Sequence, residues 1–157
     1  PGFDPELVAY AQEKNLPIFP GCTTPTDYHA ALKFGLEVLK FFPPEQSGGL
    51  AKIKAMSAPF PQFKVMPTGG ISLKILSEYI SAPVIAACGG SYMVTAELIE
   101  NQRWDEITWL CRKSREIVDA ARLGSAVKDI PIAVPASGEG VSPGQYTEAS
   151  TDTARSI

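Results

Sequence analysis

Histidine and cysteine are scarce in this chain of 157 residues: there is one histidine, His29, and there are three cysteines, Cys22, Cys88 and Cys111. The cysteines are odd in number, far apart and in no C-x-x-C pair, so they neither form a disulfide framework nor supply metal-ligand spacing, and they read as reduced thiols of a cytoplasmic protein. His29 falls in the middle of a helical stretch, where a surface or half-buried position fits better than a ligand site. A surplus of positive charge is missing too, with 14 Lys and Arg against 17 Asp and Glu, which removes the electrostatic footprint of a nucleic-acid binder. Apolar runs are too short to span a bilayer, and no charged-then-apolar secretory leader opens the sequence. What remains is a soluble domain composition, 45% hydrophobic and 20% charged.

The spacing of turn and cap residues lays out an alternating order. Asp4-Pro5-Glu6 opens a helix by N-cap and first-turn logic, Leu7, Val8 and Ala11 recur at helical spacing, and Asn15 is its stop. Leu16–Pro20 reads as a short strand, Thr24-Pro25 as the opening of a second helix ending near Gly35, and Leu36–Phe42 as a second strand. Gly49–Ser57 suits a third helix, Phe63–Met66 a third strand, Ser72–Ile80 a helix capped by Ser72, and Val84–Cys88 a fourth strand. A short helix from about Thr95 and a longer one from Trp104 to Arg122 follow. Strands alternating with helices of roughly 10–15 residues imply βαβ units and a parallel sheet.

Within this frame Lys40 is the misfit, an ammonium group inside Val38-Leu39-Lys40-Phe41-Phe42-Pro43. Removing a cation from water is costly, so a buried lysine tends to become a neutral amine, and a neutral amine attacks carbonyls to form a Schiff base. The plainer reading is a lysine whose stem covers apolar surface while its head stays in water. By the period of two, Leu36, Val38, Lys40 and Phe42 share one strand face. Glycine pairs end the next two strands, in Val65-Met66-Pro67-Thr68-Gly69-Gly70 and in Val84-Ile85-Ala86-Ala87-Cys88-Gly89-Gly90-Ser91. Glycines there let backbone N–H groups approach an anion, and a following helix N-terminus adds partial positive charge, so the pairs read together as a phosphate cradle of the kind (β/α) barrels build.

Lys40-Phe41-Phe42-Pro43 with Glu45 and Gly48-Gly49, then Pro67-Thr68-Gly69-Gly70-Ile71-Ser72, then Gly89-Gly90-Ser91, resembles the 2-keto-3-deoxy-6-phosphogluconate (KDPG) and 4-hydroxy-2-oxoglutarate aldolases. Pro1-Gly2 and Leu16-Pro17-Ile18-Phe19-Pro20-Gly21 fit the same pattern, so the resemblance runs to about Arg122. It implies a class I aldolase on a (β/α)8 barrel, usually a trimer, which needs neither metal nor other cofactor because the protonated Schiff base is the electron sink. The substrates implied are a phosphorylated keto-sugar acid, cleaved to pyruvate and glyceraldehyde 3-phosphate, or 4-hydroxy-2-oxoglutarate, cleaved to pyruvate and glyoxylate, with no nucleic acid or membrane partner. Lys40 matches the Schiff-base lysine, Thr68 a substrate-contacting threonine, and Gly69, Gly70, Gly90 and Ser91 the phosphate loops. Phe42 lines the pocket beside the lysine.

The family's acid/base glutamate lies on an early strand, and the matching segments would precede Pro1. The expectation is therefore the second half of a barrel over residues 1–124, four parallel strands with their helices, since a closed barrel ordinarily needs eight strands and at least about 200 residues. Residues 125–157, rich in Gly, Ser, Thr and Pro, read as a disordered tail, with Ile130–Val134 a candidate short strand. Glu45 reads as a loop carboxylate that pairs with a lysine or caps the helix at Gly48-Gly49, with an acid/base role as the alternative. Trp104 and Trp109 read as core or subunit-contact residues. A non-catalytic phosphate-binding barrel and an inert fragment are the competing functional readings.

Overall fold

The structure, a computed structural model, describes residues 2–124; the expected tail and the strand at 130–134 lie outside the described residues. Six α-helices and two strands follow in the order α1 (Pro5–Glu13), α2 (Pro25–Lys33), β1 (Val38–Phe41), α3 (Gly49–Ser57), β2 (Lys64–Pro67), α4 (Leu73–Ile80), α5 (Ala96–Glu100) and α6 (Trp104–Arg122), with a 3-10 turn at Glu45–Ser47 before α3. Local chemistry sets the helix starts. The Asp4 carboxylate accepts from the N–H groups of Glu6 and Leu7. Thr24 and Asp27 form a reciprocal capping box, each side chain accepting from the other's backbone. Asn15 leaves α1 at φ 54°, as its stop position requires. Ser72 holds the N-cap position of α4 but accepts no hydrogen bond through its side chain, so the first amides of that helix lack a side-chain cap.

β1 and β2 pair in parallel, with Val38 opposite Lys64, Leu39 opposite Val65, Lys40 opposite Met66 and Phe41 opposite Pro67. The two flanking segments expected as full strands touch this pair only at isolated bridges, Gly21 with Lys40 on one side and, on the other, Ile85 with Val65 and Gly89 with Thr68. Proline explains both. Lys40 N–H donates to Pro20 O at 3.0 Å and Cys22 N–H to Lys40 O at 2.8 Å, but Pro20 has no N–H to continue toward Val38. On the other side Val65 donates to Val84 O at 2.8 Å and Ala86 to Val65 O at 2.9 Å, and Pro67 then lacks the next donor. The pairing slips by one residue and resumes as Thr68 with Gly89. The four-segment parallel order is thus kept, with narrower outer segments than the sequence suggests.

Burial alternates along β1: Leu39 and Phe41 are fully buried, while Val38 and Lys40 are half-buried. Leu39, Phe41 and Val65 join Tyr28 and Ala31 of α2, Ile53 of α3, Leu76 and Tyr79 of α4 and Ile117 of α6 in one core cluster. Helices therefore cover one face of the sheet. The opposite face carries Val38, Lys40, Phe42, Met66 and Thr68, and Phe42 there is 41% exposed. No helix among the described residues is long and apolar enough to cross a membrane.

Candidate active site

Lys40 stands on the open face of β1, between Gly21 on one neighbour and Met66 on the other. It is half-buried rather than enclosed, which corrects the expectation of a lysine sunk in apolar surroundings. The covering face is what it lacks. Its Nζ lies 5.6 Å from the centroid of the Phe42 ring, within range of a cation–π contact. Phe42 in turn rests on the backbone of Gly69. A Cβ at Gly69 would come within 2.7 Å of the ring, and φ there is +91°, so glycine is required on both counts.

Thr68 occupies the row beyond Met66 on the same face. Its N–H donates to Phe41 O at 2.9 Å, which ties the end of β2 to the lysine strand. Its methyl group packs against Gly89, where an added Cβ would meet it at 2.5 Å. Its hydroxyl oxygen Oγ1 is inaccessible and has no hydrogen-bond partner among the described residues. A buried hydroxyl without a partner costs about 1–3 kcal/mol, so a site that keeps one has a use for it.

The glycine loops follow at the same strand ends. Among the described residues, the backbone N–H groups of Gly69, Gly70, Gly90 and Ser91 donate to no protein acceptor. Ser91 itself is exposed. The Gly90-Ser91 loop is backed by a tyrosine. The Tyr92 ring lies under Gly90, where a Cβ would approach it to 2.7 Å, and its hydroxyl is 2.7 Å from Ser114 Oγ, which bonds on to Leu110 O at 2.7 Å within α6. Tyr79, 2% exposed on α4, donates to Glu45 Oε1. Burial first and this carboxylate second raise the Tyr79 phenol well above its ordinary range, so it remains a donor.

Lys40, Phe42, Thr68 and Gly69 are therefore brought together on one face, with Gly70 and the Gly90-Ser91 loop at the same end. Among the described residues Glu45 neither pairs with a lysine nor caps α3. Tyr79 takes one of its oxygens, a partner hidden in the sequence because Leu76, Tyr79 and Ile80 form an ordinary apolar helix face. Tyr92 was equally silent, as its support of Gly90 depends on where α6 passes. Burial pushes the Cys22 thiol up to about 12 and the Cys88 thiol up to about 11, which keeps both protonated near neutral pH. Trp104 is 54% exposed and so is not a core residue. His29 is exposed, as expected.

Residues 1–110 match the family described as KDPG and KHG aldolase. The chain belongs to this family. It is 44% identical over 118 residues to the 2-dehydro-3-deoxy-phosphogluconate aldolase of Haemophilus influenzae, covering 75% of this chain and 56% of that relative. Among solved structures, the KDPG aldolase of Legionella pneumophila with pyruvate captured at low pH as a covalent carbinolamine intermediate aligns at 40% identity and a TM-score of 0.68, over 71% of this chain and 54% of that one. The 2-keto-3-deoxy-6-phosphogluconate aldolase of Zymomonas mobilis with 3-phosphoglycerate aligns at 29% identity and a TM-score of 0.63, over 81% and 56%. The chain thus spans about half the length of the relatives it matches, and within that span its fold is theirs, a parallel α/β arrangement of the TIM-barrel type.

Proposed function

We propose that this protein is a class I aldolase in which Lys40 forms the Schiff base. The observation that carries the reading is the arrangement around Lys40: an amine on the open strand face, an aromatic wall at Phe42, an unpartnered hydroxyl at Thr68, and unused amides at Gly69, Gly70, Gly90 and Ser91 beyond them. The covalent pyruvate of the Legionella relative supports the chemistry, and the 3-phosphoglycerate of the Zymomonas relative supports a phosphorylated ligand.

The Lys40 amine adds to the C2 carbonyl of a 2-keto acid, giving a carbinolamine that loses water to an iminium. A base takes the proton of the C4 hydroxyl, the C3–C4 electrons move toward the iminium, and an aldehyde leaves. The remaining enamine is protonated at C3, and hydrolysis returns pyruvate and the free amine. Thr68 Oγ1, which no described protein group satisfies, turns out of its buried position to donate a hydrogen bond to the bound keto acid. The phosphoryl group of a KDPG-type substrate sits on the loop amides, aided by the start of α4, whose first N–H groups lack a side-chain cap. 4-Hydroxy-2-oxoglutarate would use the same lysine without the phosphate contacts. The C4 proton requires a carboxylate; Glu45 has one oxygen engaged by Tyr79, and an early-strand glutamate of the family pattern fits the role better. The sheet described here forms part of an eight-stranded barrel, and the working form is a cytoplasmic homotrimer.

The test is pyruvate release from KDPG and from 4-hydroxy-2-oxoglutarate by the intact protein and by Lys40→Arg. Release by the wild type and none by Lys40→Arg is expected, because a guanidinium keeps the charge but cannot act as the amine. Release that survives in Lys40→Arg would reject the assignment.

A further inference from the structure

Glu45 lies where three parts of the site end meet. It opens the 3-10 turn between the lysine strand and α3. Its Oε1 accepts from Tyr79 near the C-terminus of α4, and a Cβ at Gly49, the first residue of α3, would sit 3.6 Å from both that oxygen and the Tyr79 hydroxyl. Its Cγ comes equally close, 3.6 Å, to where a side chain would begin at Gly70. The Glu45 methylenes thus lie beside the glycine loop that follows β2, while its carboxylate reaches a phenol on the helix that the same loop launches. Tyr79 is buried in the core cluster with Leu76, Ile80 and Ile53, so its hydroxyl is a fixed point. Glu45 is on the solvent side and has no other side-chain partner among the described residues.

We propose that Glu45 and Tyr79 are a positioning pair that sets the Gly69-Gly70 loop against the lysine strand, and so controls recognition of the phosphoryl group without touching the reacting carbons. The inference rests on the phosphate cradle proposed above. A carboxylate placed over a loop that must accept a dianion would repel it if the carboxylate could swing freely. Held by Tyr79, it faces the helix instead, and its methylene group supports Gly70. Losing the phenol releases the carboxylate toward the loop. Losing the carboxylate leaves a buried phenol without an acceptor and Gly70 without its support. Either change should weaken phosphate binding, and the two should not add, because both remove the same contact. Formation of the imine at Lys40 with unphosphorylated pyruvate should be unaffected, since Lys40 is held by its place in β1, between Gly21 and Met66.

The experiment is a titration with inorganic phosphate followed through the amide NMR signals of Gly69, Gly70, Gly90 and Ser91. It is run on wild type, Tyr79→Phe, Glu45→Ala, Glu45→Gln and the Tyr79→Phe/Glu45→Ala double variant, with borohydride trapping of pyruvate measured on each. The proposal expects phosphate affinity to fall at least about fivefold in Tyr79→Phe and in Glu45→Ala, and no further in the double variant, as for a shared contact. Glu45→Gln, which keeps an acceptor and the methylene groups, should stay within about twofold of wild type. Pyruvate trapping should be equal in all five. Unchanged affinity in Tyr79→Phe, additive losses, or a matching loss of trapping would overturn the positioning role. A wild type whose loop signals do not respond to phosphate would remove the cradle itself and, with it, anything for the pair to position.

Discussion

Thr68 shows most clearly how one residue ties packing to chemistry. Its methyl group fills the space over Gly89, and its hydroxyl is buried without a partner. Thr68→Val keeps the shape and removes the unpaired oxygen, so folding stability should hold or rise by up to about 1 kcal/mol while pyruvate trapping slows about tenfold. Urea denaturation and trapping kinetics check the two halves, and a variant that lost stability but trapped normally would contradict the role given to the hydroxyl. Gly89→Ala pushes a methyl against the same side chain at 2.5 Å, and overpacking of that kind should cost about 1–3 kcal/mol in the same denaturation measurement. Lys40 and the glycine loops were legible in the sequence because each breaks a local pattern, a charge in an apolar strand or paired glycines directly after one, whereas Thr68 entered only through the family resemblance. Tyr79 and Tyr92 break none, and only the packing of α4 and α6 shows what their hydroxyls reach.

At the level of elements, the helices came out where their ends carry local chemistry. α3 and α6 cover the residues expected, and the Asp4 and Thr24 starts follow from cap residues readable over three or four positions. The outer strands did not, because a strand is completed by its neighbour. Leu16–Pro20 and Val84–Cys88 have strand-like composition, but Pro20 and Pro67 withhold the donors that would extend each ladder. Two helix starts give a sharp contrast. Thr24→Ala breaks a capping box and should cost about 1 kcal/mol, whereas Ser72→Ala removes no side-chain cap bond and should cost less than half of that in the same denaturant titration. Equal losses would show that Ser72 caps α4 in solution.

For the molecule as a whole, buried acids set the alkaline limit of stability. The Cys22 thiol, 0% exposed, is raised from 9.0 to about 12 by burial, with Asp27 adding to the shift. A group whose folded pKa lies above its unfolded value stabilises fully below the unfolded pKa and loses that contribution as pH rises toward the folded one. Stability should therefore fall above about pH 9 at a slope approaching 1.4 kcal/mol per pH unit from this thiol, and Cys22→Ala should flatten the fall. Thermal denaturation between pH 8 and about 10.5 checks it, and an unchanged slope in the variant would assign the loss to other groups. Tyr79, raised in the same direction, adds to the decline at higher pH.

The open face that holds Lys40 and Phe42 is the surface on which the functional account stands. Its most direct test is to incubate the protein with pyruvate, reduce with borohydride and map the adduct by peptide mass. One reduced pyruvate adduct is expected, on the peptide that carries Lys40, and it should be lost in Lys40→Arg. An adduct on Lys33, Lys52 or Lys64, or no adduct at all, would contradict the assignment.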